Sequence, residues 1–178
     1  MRLRLWLDLL TLSRAAVGTA LLGLAATGRR DRTGAVAWLA WTAFVLAAIP
    51  ADWLDGPLAR RLGASAYGEV LDLETDSWLT LGSAAAAVTW GGLPAYSALP
   101  ALLRYPLLAT ALRRSSYHQL NTGHPGWARP VGMAQMTLFL AALAPFGAGL
   151  TREAVRLAAL PIAVAQACTL VALYGRRR

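Results

Sequence analysis

DWLDGPLARRLGASAYGEVLDLETD, residues 52–76, holds six of the chain's nine acidic side chains and has strongly apolar sequence on both sides. Asp52 and Asp55 are three positions apart and Asp72 and Asp76 four, so on helices each pair shares a face. A carboxylate at the centre of a membrane-spanning helix costs about 2.5–3.5 kcal/mol by insertion scales, so a cluster of them needs compensation and points to a function. A divalent cation supplies both.

Outward from this stretch the chain reads as a membrane protein. Of its 178 residues 57% are hydrophobic, and mean hydropathy is +0.46. Several apolar runs reach the ~20 residues that cross a bilayer core. By length it is a single domain, 1–178. Net charge is +8, and all 17 basic residues are arginine. In a soluble domain that excess points to nucleic acid. Here the arginines punctuate the ends of apolar runs, where they meet anionic headgroups, so membrane lipid is the expected partner and nucleic acid is not. The single cysteine, Cys168, excludes an intrachain disulfide. Asp8 and Arg14 interrupt the basic, apolar N-terminus, which argues against a cleaved signal peptide.

The expected fold class is an all-α membrane protein, with six transmembrane helices behind a short N-terminal interfacial helix at residues 1–8. The spans are placed at 9–27, 34–55 with a polar extension to 62, 68–91, 94–112, 130–149 and 154–174. GGLP at 91–94 predicts a tight turn, and the longest polar segment is 113–129. Small residues such as Ala15, Gly18 and 84–87 suit close helix contact in lipid, and tryptophans near span ends suit an interfacial belt. With the termini inside, ten arginines fall on the cytoplasmic face and five on the other. That balance predicts a cytoplasmic-membrane protein whose carboxylates face the cytosol.

Two antiparallel helices joined by residues 60–67 bring the two aspartate pairs around one pocket. Hard oxygen ligands of this kind suit Mg²⁺ or Mn²⁺, held by a few carboxylates together with substrate phosphate oxygens. Two ions bridging a diphosphate stabilise a departing phosphate. Gly56 lets a ligand approach the backbone, Pro57 leaves the Trp53 carbonyl unbonded within its helix, and Arg60 offers a planar fork for phosphate.

The stretch fills D-x-x-D-G-x-x-A-R, seven residues, then G-x-x-x-D-x-x-x-D at all eight fixed positions: Asp52, Asp55, Gly56, Ala59, Arg60, Gly68, Asp72 and Asp76. In this it resembles the CDP-alcohol phosphotransferase family. The resemblance implies a six-helix, homodimeric membrane enzyme. Such an enzyme moves a phosphatidyl or related group from a CDP-linked lipid donor, most simply CDP-diacylglycerol, to a small polar alcohol, releasing CMP in phospholipid synthesis. It also implies that Asp52, Asp55 and Asp72 bind the metal, and that Asp76 touches it and acts as general base. Gly56, Ala59, Arg60 and Gly68 are then expected to line the CDP site. Leu10, Thr11 and Arg14 match the family's L-T-x-x-R, which adds Thr11 and Arg14 to the donor site; Asp8 stands where asparagine is common.

Other residues carry blander expectations. Glu69 and Glu74 read as solvated or structural, His118 and His124 as loop residues, Cys168 as a small apolar residue, and Pro145 and Pro161 as helix kinks. Arg14 and Arg104 each read equally as a snorkelling side chain or a phosphate contact, whereas Arg113, Arg114 and Arg129 read first as positive-inside anchors. The G-K-x-K-T stretch of many phosphatidylglycerophosphate synthases is replaced by Gly132, Met133, Ala134, Gln135 and Met136, which leaves the acceptor open. A divalent-cation transporter or channel built on the same carboxylates is the alternative, and Gly56, Ala59 and Arg60 speak against it.

Overall fold

The computed structural model describes residues 2–27, 35–36, 38–47, 66–113, 126–144 and 150–175. Every regular element among them is helical: α1 (Arg2–Ala26), α2 (Trp38–Ala47), α3 (Ala66–Thr89), a 3₁₀ turn (Ala95–Ala98), α4 (Leu99–Leu112), α5 (Ala128–Leu143) and α6 (Leu150–Gly175). The expected interfacial helix at 1–8 is not a separate element, because α1 starts at Arg2 and passes Asp8 without a break. Nothing before Gly18 interrupts it, since no proline or glycine occurs there. By length and composition α6 alone among the described helices carries a clear membrane span, Arg152–Tyr174. In α3 the carboxylates themselves, Asp72, Glu74 and Asp76, lower the apolar character of a helix 24 residues long.

The first and third helices run side by side in the same direction. Arg14 meets Asp72 and Asp76, and one turn further Thr19 accepts a 2.9 Å hydrogen bond from Trp78 Nε1. Between these contacts the two backbones touch. A Cβ added to Gly18 would lie 2.9 Å from the Trp78 carbonyl oxygen, and one added to Gly82 would collide with the Gly18 carbonyl. Only a residue without a side chain permits that approach, which is how helices gain van der Waals contact in lipid.

At its far end α3 closes on a glycine turn. Gly92 has φ +70°, and Leu93 N donates to Ala87 O at 3.0 Å, giving the left-handed cap that ends many helices. Arg156 of α6 binds the Gly92 carbonyl at 3.0 Å, and a Cβ on Gly91 would meet Ala142 O of α5 at 2.8 Å, so α5 ends and α6 begins beside this turn. Helix α4 then returns antiparallel to α3, because Arg104 reaches Leu73 and Glu74. The core lies along α3, where Ser83, Ala84, Ala86 and Ala87 are fully buried against residues such as Phe44, Phe139, Leu143 and Ala159. By contrast Leu39, Leu46, Leu102, Met133, Leu157 and Leu160 stand exposed on outward faces of α2, α4, α5 and α6. Pro161 is accommodated inside α6, which continues past it; Pro145 lies outside the described residues.

Candidate active site

Helix α1 buries the charge of Arg14, one turn beyond Thr11, and both side chains are buried on the face that meets α3. The arginine is 2% exposed, while the carboxylates it meets are 43% and 50% exposed. Its Nη1 lies 2.6 Å from Asp72 Oδ1 and 2.8 Å from Asp76 Oδ1. The four-residue spacing puts both acids on one face one turn apart, and a single cationic atom holds them together. Both carboxylates stay about half exposed.

The backbone around these acids is fastened locally. Thr75 Oγ1 donates to Asp72 O at 3.0 Å, and Thr80 Oγ1 to Asp76 O at 2.7 Å. Glu74, on another face, accepts from Arg104 Nη2 at 2.9 Å, while Arg104 Nη1 donates to Leu73 O at 3.1 Å. Arg104 is 9% exposed, and these bonds make it a tie between α4 and α3 rather than a snorkelling group. Glu74 has the structural part expected of it.

Asp52, Asp55, Gly56, Ala59 and Arg60, expected to complete the metal and donor sites, lie outside the described residues, as do Arg114, His118 and His124. Gly68 falls within α3. Asp72 and Asp76 bring two hard-oxygen donors side by side, the ligand type a divalent cation takes, although the Arg14 guanidinium they already hold competes with such a cation for those oxygens. Among the described residues no group of three or more His, Cys, Asp or Glu gathers in the manner of a complete metal site. The donor chemistry fits such a cation; Asp52 and Asp55, expected to join the set, lie outside the described residues.

Across α3 from Arg14 is a cavity of about 560 Å³ between α3, α4, α5 and α6, lined by Ser77, Thr80, Gln135, Gln166 and Thr169 among others. Arg104 forms part of its wall, and Arg129, exposed at the start of α5, also lines it. Sequence reading missed this group. The available signal was polar side chains inside apolar runs, with Gln166 and Thr169 three apart on one face of α6.

The family model for CDP-alcohol phosphatidyltransferase matches residues 7–171. The chain belongs to the CDP-alcohol phosphatidyltransferase family. Its members are membrane enzymes, and the shared reaction transfers a phosphoalcohol group from a CDP-alcohol to an alcohol acceptor in phospholipid synthesis. Membership supports the enzyme reading of the chain, since the family is a transferase family. Comparisons with curated proteins and with solved structures matched nothing.

Proposed function

We propose that this transferase takes CDP-diacylglycerol as donor and a small polar alcohol as acceptor, releasing CMP at the cytosolic face of the cytoplasmic membrane. The observation that carries the reading is the convergence of Asp72 and Asp76 on one buried guanidinium. Asp52 and Asp55 complete the acidic set. The parallel run of α1 and α3 supports this, because a connection from Thr27 to Ala66 has to finish at the end of the bundle where Asp72 lies. Gly56, Ala59, Arg60, Gly68, Thr11 and Arg14 bind the CDP moiety.

Asp76 accepts the proton of the acceptor hydroxyl, whose oxygen attacks the phosphorus that bears the diacylglycerol. The bond from that phosphorus to the oxygen bridging it to the CMP phosphate breaks, and CMP departs with the electron pair. Asp52, Asp55, Asp72 and Asp76 would hold two Mg²⁺ or Mn²⁺ ions, which when bound supply charge neutralisation for the diphosphate. Arg14 holds the Asp72 and Asp76 carboxylates together from α1. The chain crosses the membrane six times. The outward leucines of α2, α4 and α6 support this reading, since lipid accepts them and water does not. It works as a homodimer, to be read by crosslinking in the bilayer.

Purified protein in liposomes with CDP-diacylglycerol, Mg²⁺ or Mn²⁺ and a panel of alcohols is expected to release CMP. Chelation abolishes the release and added cation restores it. Asp76→Asn is expected to bind CDP and not turn over. Ordinary turnover by that variant sinks the base assignment, and silence across the panel in folded protein sinks the donor and acceptor classes.

A further inference from the structure

The cavity between α3, α4, α5 and α6 has an unusual balance of hydrogen-bonding groups. Ser77, Thr80 and Thr169 each spend their only hydroxyl hydrogen on their own helix, donating to Leu73 O at 2.6 Å, Asp76 O at 2.7 Å and Ala165 O at 2.8 Å. A hydroxyl so engaged has only lone pairs left to offer. Gln166 Oε1 is a further acceptor, buried and without a partner among the described residues. Against these stands Gln135, 3% exposed, with its Nε2 donor buried and likewise without a partner among the described residues. Two arginines line the cavity: Arg104 is engaged by the Leu73 carbonyl and by Glu74, and Arg129 stands exposed at the start of α5.

A buried, unpartnered amide costs free energy until a ligand or water completes it. Apart from Gln135 and the exposed Arg129, the polar groups of the wall ask their occupant for hydrogens. A phosphate monoester offers acceptor oxygens with few or no hydrogens, so it meets lone pair against lone pair at the three hydroxyls and at Gln166. A neutral hydroxyl both donates and accepts, and it fits between Gln135 and Gln166 whichever way either amide is turned.

We propose that this cavity binds the acceptor alcohol, that the acceptor is an uncharged polyol bearing no phosphate on the part that enters, and that Gln135 and Gln166 determine this specificity. The inference rests on the transferase reading and deepens it. Position supports it: the turns of α3 that bear Asp72 and Asp76 also bear Leu73, Ser77 and Thr80, which line the cavity. The same chemistry is offered by a free polyol and by the glycerol headgroup of a lipid.

The test measures CMP release from CDP-diacylglycerol in liposomes. The arms are glycerol, myo-inositol, phosphatidylglycerol vesicles, sn-glycerol 3-phosphate, inositol 1-phosphate and ethanolamine. Release with a free polyol or with phosphatidylglycerol is expected, and which arm responds separates the two sources. Preference for either phosphate monoester or for ethanolamine overturns the inference, as does no release from any polyol arm. Gln135→Leu, Gln166→Leu and Thr169→Val are each expected to raise the acceptor KM about tenfold, the worth of one neutral hydrogen bond, with the donor KM within about twofold. An unchanged acceptor KM in all three also overturns it. The transferase reading fails on a different readout, namely no rise in unfolding temperature when CDP and Mg²⁺ are added. That rise in each variant also shows that it has folded.

Discussion

Arg14 is the residue on which the acidic cluster depends most directly. A buried guanidinium facing two half-exposed carboxylates keeps like charges one helical turn apart from repelling each other. Arg14→Gln removes that restraint while keeping much of the side chain's length. We expect CMP turnover to fall about 10²-fold, as when one preorganised charge is removed from a site, measured as kcat at saturating donor and acceptor. Arg14→Lys is expected to recover part of the loss, because one ammonium can still reach both oxygens. The eight-position motif made Asp72 and Asp76 legible in the sequence, and the match of Leu10, Thr11 and Arg14 marked Arg14. What it did not reveal was the partnership between them, since a separation of 58 and 62 residues says nothing until α1 is known to lie along α3. Gln135 was hidden for the same reason. An amide inside an apolar run becomes informative only when the helices facing it are in place.

The contact between α1 and α3 is set at the level of elements by two glycines. Gly82→Val pushes α1 away from α3 and is expected to destabilise the protein by about 1–3 kcal/mol, the usual penalty of overpacking. Thermal unfolding in detergent measures it, with Gly23→Ala as the control, since a Cβ there meets nothing within 4 Å. The tie between α4 and α3 gives a second expectation. A double-mutant cycle on Arg104→Ala and Glu74→Ala should return a coupling of about 0.5–3 kcal/mol, because the two side chains bond directly. Helix limits followed closely from apolar runs and turn chemistry: α3 was expected at 68–91 and is Ala66–Thr89, and the GGLP turn is where glycine and proline put it. The separate N-terminal helix was misread, because alternating arginine and leucine suggested an interface while no residue there stops a helix.

Across the whole molecule the described helix ends fall into two groups. The first turns of α3 and α5 and the last turns of α6 gather around the cavity, and the end of α3 meets α5 and α6 at the other pole. The up-and-down course proposed for the six spans would put these two groups at opposite faces of the membrane. In that arrangement Cys168, exposed on α6, faces lipid. A membrane-impermeant maleimide added to intact vesicles is expected to leave it unlabelled, and the same reagent should label it after denaturation. Labelling in intact vesicles contradicts the sixth span.

The parallel course of α1 and α3 also bears on how the chain is made. Neighbouring helices in a hairpin can embrace as they leave the ribosome, but parallel ones cannot; the chain between Thr27 and Ala66 has to be delivered first. Until α3 is made, Arg14 lacks Asp72 and Asp76, the carboxylates that meet it in the folded chain, and an arginine without them is costly in a bilayer. Nascent chains halted before Asp72 should slip back out of the membrane under alkaline extraction, and those halted after α3 should stay.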